Sequence, residues 1–251
     1  MPTRLFDPAA RGGDRYAALP CARCPGKHTN LCQPLADQLQ AEFFDIGLRQ
    51  RWMPREVLFR AGDEAGPIFK ITKGVVVVSR SLAGGQRQVL RILLPGDVCG
   101  YLLENGRYEF DGEAVTEVVT CTFPRDSFES FEAANASFGE AVRVELSKAL
   151  KEVGRHMTSI GQLPAPARVA SFLLHMQQVF EARGMGGDAL HLPMTRTDIA
   201  DYLGLRVETV SRAFTAMGRR KLIVVQGEKV SIVDPHGLAG LAGGSGPRRK
   251  Y

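Results

Sequence analysis

Residues Met194–Leu222 read MTRTDIADYLGLRVETVSRAFTAMGRRKL, a stretch that describes two helices and the turn between them. Thr195 is an N-cap residue, and Asp198 three positions on completes a capping box, so a helix starts over TRTDIADYLG. Ile199, Ala200 and Leu203 give that helix a buried face. Gly204 permits the tight turn that follows. Leu205 and Val207 flank the entry to a second helix, where Val210, Ala213, Phe214 and Met217 pack inward. Arg206, Glu208, Thr209, Ser211 and Arg212 are left for a groove. A helix-turn-helix offers the N-terminal residues of its second helix to base edges. Arginine pairs with guanine O6 and N7 and glutamate accepts from cytosine N4, each contact giving about 1–3 kcal/mol of discrimination. Glu208 is informative, because a carboxylate near phosphates weakens binding unless it reads a base or orients an arginine. Its plainer reading is an acidic residue at the positive end of the helix dipole.

Arg219, Arg220 and Lys221 follow the second helix and suit phosphate contacts, with solvated surface as the alternative. Thr195 and Arg196, at the start of the first helix, are secondary candidates for the same role. KLIVVQGEKVSIVD (221–234) then reads as two strands joined at Gly227. A hairpin after such a helix makes it a winged helix-turn-helix.

Working toward the N-terminus, ARVASFLLHMQQVFEARG (167–184) is a helix, set off by Pro164 and Pro166 from a longer one over 138–163. The long helix carries apolar residues at Val142, Leu146, Ala149, Val153 and Ile160; His156 takes the missing position and Met157 stands beside it. This stripe resembles a coiled-coil seam. It either packs on the preceding domain or pairs with a second copy of the chain. The helix's length and its place between two candidate domains favour pairing.

From Met53 to Pro124 the pattern changes to short β-branched runs, including VLFR (57–60), IFKITKGVVVVSRS (68–81), QVLRILLPG (88–96) and AVTEVVTCTFP (114–124). Turn residues separate them, with Gly62, Gly74, Gly84, Gly85 and Gly96 where turns need positive φ. Such a pattern predicts an antiparallel sandwich or roll. LADQLQAEFFDIG (35–47) precedes it as a short helical segment. The expected organisation is a flexible N-terminus with a cysteine cluster (1–34), a β-domain (35–137), the long helix (138–163), the winged helix-turn-helix (164–240) and a Gly-rich basic tail (241–251).

The chain has 251 residues and a net charge of +5. Residues 1–139 carry 16 basic against 17 acidic side chains, and residues 140–251 carry 16 against 10. The excess of positive charge therefore falls on the half with the DNA-reading pattern. No run of about 18 apolar residues spans a membrane, and the N-terminus lacks the apolar core of a signal peptide, so a cytoplasmic location is expected.

Of five cysteines, Cys21, Cys24 and Cys32 fall within twelve residues. In a reducing compartment such clustering points to metal or redox chemistry rather than a disulfide scaffold. Three thiolates suit zinc or iron–sulfur. His28 can fill the fourth corner for zinc; Cys99 or Cys121 can close a four-thiolate set, and spacing does not choose between them. A cupin-like metalloenzyme is disfavoured: the five histidines are His28, His156, His175, His191 and His236, none of them in the β-region 53–124.

From Cys21 to about Gly240 the chain resembles the Crp/Fnr family of bacterial transcription regulators, and most closely its oxygen-sensing fumarate and nitrate reduction regulator branch, including alphaproteobacterial members. CARCPGKHTNLC, FKITKG, LPGDVCG, VVTCTFPRD and above all MTRTDIADYLGLRVETVSR carry the resemblance. It implies an α+β fold: an N-terminal antiparallel β-roll of the cyclic-nucleotide-binding, jelly-roll type, a long dimerisation helix and a C-terminal winged helix-turn-helix. It implies a homodimer on an inverted repeat like TTGAT–N4–ATCAA, with Glu208, Ser211 and Arg212 contacting DNA, and a regulator, commonly an activator, that works with RNA polymerase. The loop SLAGGQRQ (81–88) is one candidate polymerase contact.

In the oxygen-sensing branch, three N-terminal cysteines and one late in the β-roll hold a [4Fe–4S] cluster. The matching residues are Cys21, Cys24, Cys32 and Cys121, which leaves Cys99 as a buried thiol. The gap before Cys32 is longer than in enteric members and like that of alphaproteobacterial ones. The resemblance thus implies that low oxygen preserves the cluster, holds the ligand loop to the β-roll and favours the paired dimer. The alternative is a regulator of this fold without a cluster, controlled by abundance, thiol oxidation or another ligand. The stretch PGDVCGYLLENGRYEFDGEAV lacks the Arg-Ser or Arg-Thr pair with which relatives hold a cyclic nucleotide, so no cyclic nucleotide is expected.

Overall fold

A computed structural model describes residues 30–32, 35, 37–81, 84–101 and 103–243. The chain divides into two compact units: Met1–Arg80 with Leu90–Leu150, and Ser81–Val89 with Lys151–Tyr251. The expected flexible segment 1–20 lies outside the described residues, and the basic tail is described only to Gly243.

The first unit opens with a 3-10 turn, Asn30–Cys32, and helix α1, Asp37–Asp45. Ten strands follow, of which β4 ends and β5 begins in the Ser81–Val89 segment of the second unit: β1 Leu48–Trp52, β2 Val57–Phe59, β3 Ile68–Lys73, β4 Val76–Ser81, β5 Arg87–Leu93, β6 Val98–Cys99, β7 Leu103–Glu104, β8 Arg107–Tyr108, β9 Asp111–Ala114 and β10 Val118–Phe123. They form antiparallel sheets in the orders β1-β10-β3-β6 and β2-β9-β4-β5, with β7-β8 as a small hairpin. The strand patterns follow from burial. IFKITK and VVVSRS are buried over most of their length because they sit inside their sheets. LRQRW (β1) is charged and half exposed because it is an edge strand. Its Trp52 anchors the edge by donating from Nε1 to Thr120 Oγ1 at 3.0 Å.

Between β3 and β4 the chain turns at Gly74, φ 86°; a Cβ there would stand 2.2 Å from the carbonyl oxygen of Glu117, so only glycine fits.

Helix α2, Arg125–Ala134, and the start of α3, Ala136–Gln162, complete this unit. An aromatic cluster joins them to the sheet. Phe43 stacks on Phe123 with centroids 4.2 Å apart, and Phe128 meets Phe138 at 5.2 Å. Leu31, Leu35, Ile68 and Val142 are buried in the same cluster.

The second unit contains the rest of α3, then α4 Ala165–Ala182, β11 Leu190–His191, α5 Arg196–Leu203, α6 Val207–Arg219, β12 Ile223–Gln226, β13 Lys229–Ile232 and α7 Pro235–Leu241. The strands pair antiparallel in the order β11-β13-β12. Helix α4 buries Val169, Ala170, Phe172, Leu173, Met176 and Phe180. Among the described residues no helix is long and apolar enough to cross a membrane.

Candidate nucleic-acid interface

Helix α5 begins with the capping box read from the sequence. Thr195 Oγ1 accepts from the Asp198 amide at 3.1 Å and donates to Asp198 Oδ2 at 2.6 Å, while Oδ2 also accepts from the Thr195 amide at 3.0 Å. Two residues of the Ser81–Val89 segment, which belongs to the same unit, hold this helix from the side. Arg87 Nη1 donates to Asp198 Oδ1 at 3.2 Å, and Gln88 Nε2 donates to the carbonyl oxygen of Asp201 at 2.7 Å. Burial raises the Asp201 carboxyl above its ordinary range, and Arg87 acts against that rise.

Gly204 caps α5 in the left-handed conformation, φ 61°. Helix α6 then packs Val210, Ala213, Phe214 and Met217 inward. Its opposite face exposes Glu208, Ser211, Arg212 and Thr215, which share one side at spacings of three, one and three residues. Glu208 lies in the first turn and Arg219 in the last. Arg206, the N-cap, is exposed and Thr209 half-buried. Arg219, Arg220 and Lys221 are exposed at the far end, where Lys221 takes a positive φ of 58° to turn the chain into β12. The wing is β12 and β13, which turn at Gly227, φ 60°.

Two predicted contact residues are already occupied. The Thr195 hydroxyl is bound in the capping box. The Arg196 guanidinium lies 3.6 Å from the centroid of the Phe214 ring, a cation–π contact that braces α5 on α6.

On α3, Leu146, Val153, Met157 and Ile160 of the expected stripe lie at exposed or half-buried positions, whereas Val142 is buried and Leu150 stands exposed beside Ala149. Leu146, Leu150 and Met157 are exposed, and Val153 and Ile160 are half-buried; together they step by four, three, four and three residues. Val142 is 3% exposed and belongs to the aromatic cluster of the first unit, so it is not part of a pairing face. Ala149 is half-buried beside Leu150, which is 73% exposed and was missed in the sequence.

The cysteines require a correction. Among the described residues no group of three or more His, Cys, Asp or Glu side chains could hold a metal ion. Cys21, Cys24 and His28 lie outside the described residues. Cys32 Sγ accepts at 2.7 Å from Nζ of Lys70, which is 1% exposed on β3 and stands directly opposite Cys121 on β10. The Cys32 sulfur is thus engaged by a lysine, and the described members of the set, Cys32 and Cys121, do not stand in a metal-holding group. The expected [4Fe–4S] cofactor on Cys21, Cys24, Cys32 and Cys121 is therefore withdrawn, and with it the iron–sulfur and oxygen-sensing switch. Nothing local in the chain marks Lys70, since a lysine inside a strand is seldom fully buried. Cys99 is buried, and burial pushes its thiol up to about 12.

Comparison with known proteins agrees with this architecture. The Crp-like helix-turn-helix domain profile matches residues 167–241, and the cyclic nucleotide-binding domain profile matches residues 49–135. The nitrogen fixation regulation protein FixK of Bradyrhizobium diazoefficiens is 32% identical over 88% of this chain and 93% of its own. The transcriptional activator protein Anr of Pseudomonas aeruginosa is 30% identical over 92% of this chain and 96% of its own. The solved structure of FixK2 from Bradyrhizobium japonicum superposes with a TM-score of 0.72 at 26% identity, covering 78% of this chain and 97% of that one. With a β-roll, a long helix and a winged helix-turn-helix in that order, and relatives at 30% identity or more matched over most of their length, the chain belongs to the Crp/Fnr family of DNA-binding transcription regulators, which are not enzymes.

Proposed function

We propose that this regulator reads an inverted-repeat operator as a homodimer, with Glu208, Ser211 and Arg212 at base edges in each half-site. Arg206, Thr209, Arg219, Arg220 and Lys221 take the phosphate and flanking contacts. Thr195 and Arg196 act instead on the protein itself, through the capping box and the Phe214 ring. The observation that carries this reading is the division of α6 into a packed face and an exposed face bearing Glu208, Ser211 and Arg212. A carboxylate inside an otherwise basic reading face gives base selectivity, because it rewards cytosine amino groups and penalises poor register on phosphates.

The dimer is assigned to the α3 seam centred on Leu150. Two recognition helices one DNA turn apart then select half-sites by spacing as well as by sequence. The half-site that suits the ETVSR pattern is TTGAT. Regulation operates without a cluster, through abundance, thiol oxidation or another ligand. RNA polymerase is the second macromolecular partner, a role supported by relatives named as transcriptional activators.

Selection from a pool of randomised duplexes tests the reading. Recovery of a two-fold symmetric site is the expected result; enrichment of no sequence, or of an asymmetric one, contradicts it.

A further inference from the structure

In the sequence His156 interrupts the apolar spacing of α3. In the second unit it has a different task. His156 lies on the part of α3 that begins at Lys151, and it is 7% exposed. Its ring lies flat on that of Tyr202 on α5, with centroids 3.9 Å apart and planes 15° from parallel. Phe172 of α4 meets the same tyrosine at 5.6 Å. Among the described residues His156 Nε2 makes no hydrogen bond, so that edge of the ring is held by contact alone. Two neighbouring contacts continue the grip. Arg168 donates from Nε to the carbonyl oxygen of Leu163, just past α3, at 2.8 Å, and from Nη1 to that of Leu203, the last residue of α5, at 3.1 Å. A Cβ on Gly204 would stand 3.7 Å from Cγ2 of Ile160, so α3 passes close to the cap of α5. Val153, Met157 and Ile160, seam residues of the same part of α3, are half-buried or exposed. One helix thus carries residues assigned to pairing and, among them, a histidine committed to α5.

We propose that His156 is a positioning residue for DNA reading: its stack on Tyr202 ties the pairing helix to the helix-turn-helix and so sets the spacing between half-sites that the dimer accepts. A stiff link concentrates the second recognition helix at one separation, whereas a slack link spreads it over several. One base pair inserted between half-sites moves the second by about 3.4 Å and turns it by about 35°. A dimer whose reading helices are locked to α3 cannot follow that displacement, and one whose α5 has come loose can. This inference rests on the dimeric reading of an inverted repeat proposed above.

The test measures binding of the full-length protein to the TTGAT–N4–ATCAA duplex, to the same duplex with one spacer base pair added or removed, and to a duplex with a single half-site. Wild type is expected to prefer the N4 spacing by about a hundredfold. His156→Leu keeps an apolar side chain in the site but removes the planar ring. It is expected to cut that preference to about tenfold or less and to leave the single-half-site affinity unchanged. His156→Phe restores a ring and is expected to restore the preference. A variant that had merely lost stability would bind every duplex less tightly in the same proportion, and the ratio between spacings would not move. A folded His156→Leu protein with the wild-type ratio overturns the proposal. Wild-type protein that takes all the spacings alike overturns it too, and that comparison needs no variant to fold. Wild type that binds the repeat no more tightly than a single half-site contradicts the dimeric reading itself, and this inference falls with it.

Discussion

Thr195 and Asp198 satisfy each other at the start of α5, each side chain meeting the other's backbone amide, and Arg87 closes the free oxygen of the carboxylate. Asp198 is a capping residue whose side chain is 3% exposed, so both its oxygens depend on these partners. Thr195→Ala should lower the stability of the second unit by about 1 kcal/mol. Asp198→Ala should cost about 3 kcal/mol, because it removes the acceptor shared by Arg87, the Thr195 amide and the Thr195 hydroxyl. The single tryptophan, Trp52, lies in the first unit. The loss should therefore appear in the far-UV circular dichroism transition while the Trp52 fluorescence transition stays in place.

His156 stacks on Tyr202 with ring centroids 3.9 Å apart, and among the described residues its Nε2 has no hydrogen-bond partner. Burial first, and Arg155 second, lower its pKa from 6.5 to about 4, with Glu152 opposing and His175 reinforcing the shift. Between these values the unfolded chain binds the proton and the folded chain does not. His156 thus contributes fully above pH 6.5, and its contribution is lost as pH falls toward 4. The expected loss is about 3 kcal/mol. His156→Phe, which keeps the stacking, should flatten this part of the pH–stability curve measured by circular dichroism.

Gly74 tests the first unit in the same way. Gly74→Ala sets a Cβ against the Glu117 carbonyl at positive φ. It should lower the Trp52 fluorescence midpoint by an amount equivalent to about 2 kcal/mol or more and leave the helical transition unmoved.

The helix-turn-helix was legible because local signals agree there: cap, turn glycine and helical period all lie within 29 residues, Met194–Leu222. Positive φ at Gly62, Gly74, Gly85 and Gly96 matched the turn reading as well, while Gly84, expected to share it, does not take one. Edge and short strands were not legible. LRQRW and DGEA carry no alternating apolar face, and they are strands only because β10 and β4 pair with them. Burial along α3 was not legible either: Val142 and Leu146 look alike in sequence, yet Val142 is enclosed by Phe138 and its neighbours. Lys70 was invisible for a similar reason: nothing local marks which lysine a strand will bury. The cysteine spacing suggested metal, but spacing says nothing of the cation that the fold brings against Cys32.

Leu150 is the most exposed apolar residue of the seam. Leu150→Asp should shift the monomer–dimer equilibrium toward monomer by about thirtyfold or more, read by sedimentation equilibrium. Val142→Ala should leave that equilibrium in place and instead lower the Trp52-reported stability, since Val142 packs in the first unit's core.

The most direct test of sequence reading by α6 is competition binding, at one fixed salt concentration, between a duplex carrying the TTGAT–N4–ATCAA repeat and a scrambled duplex of equal length. The repeat should bind about a thousandfold more tightly. Arg212→Ala should cost about 1–3 kcal/mol on the repeat and little on the scrambled duplex, and Glu208→Ala should relax the preference at one base pair of each half-site. Equal affinity for the two duplexes, or an Arg212→Ala loss of the same size on both, would contradict sequence reading through this face of α6.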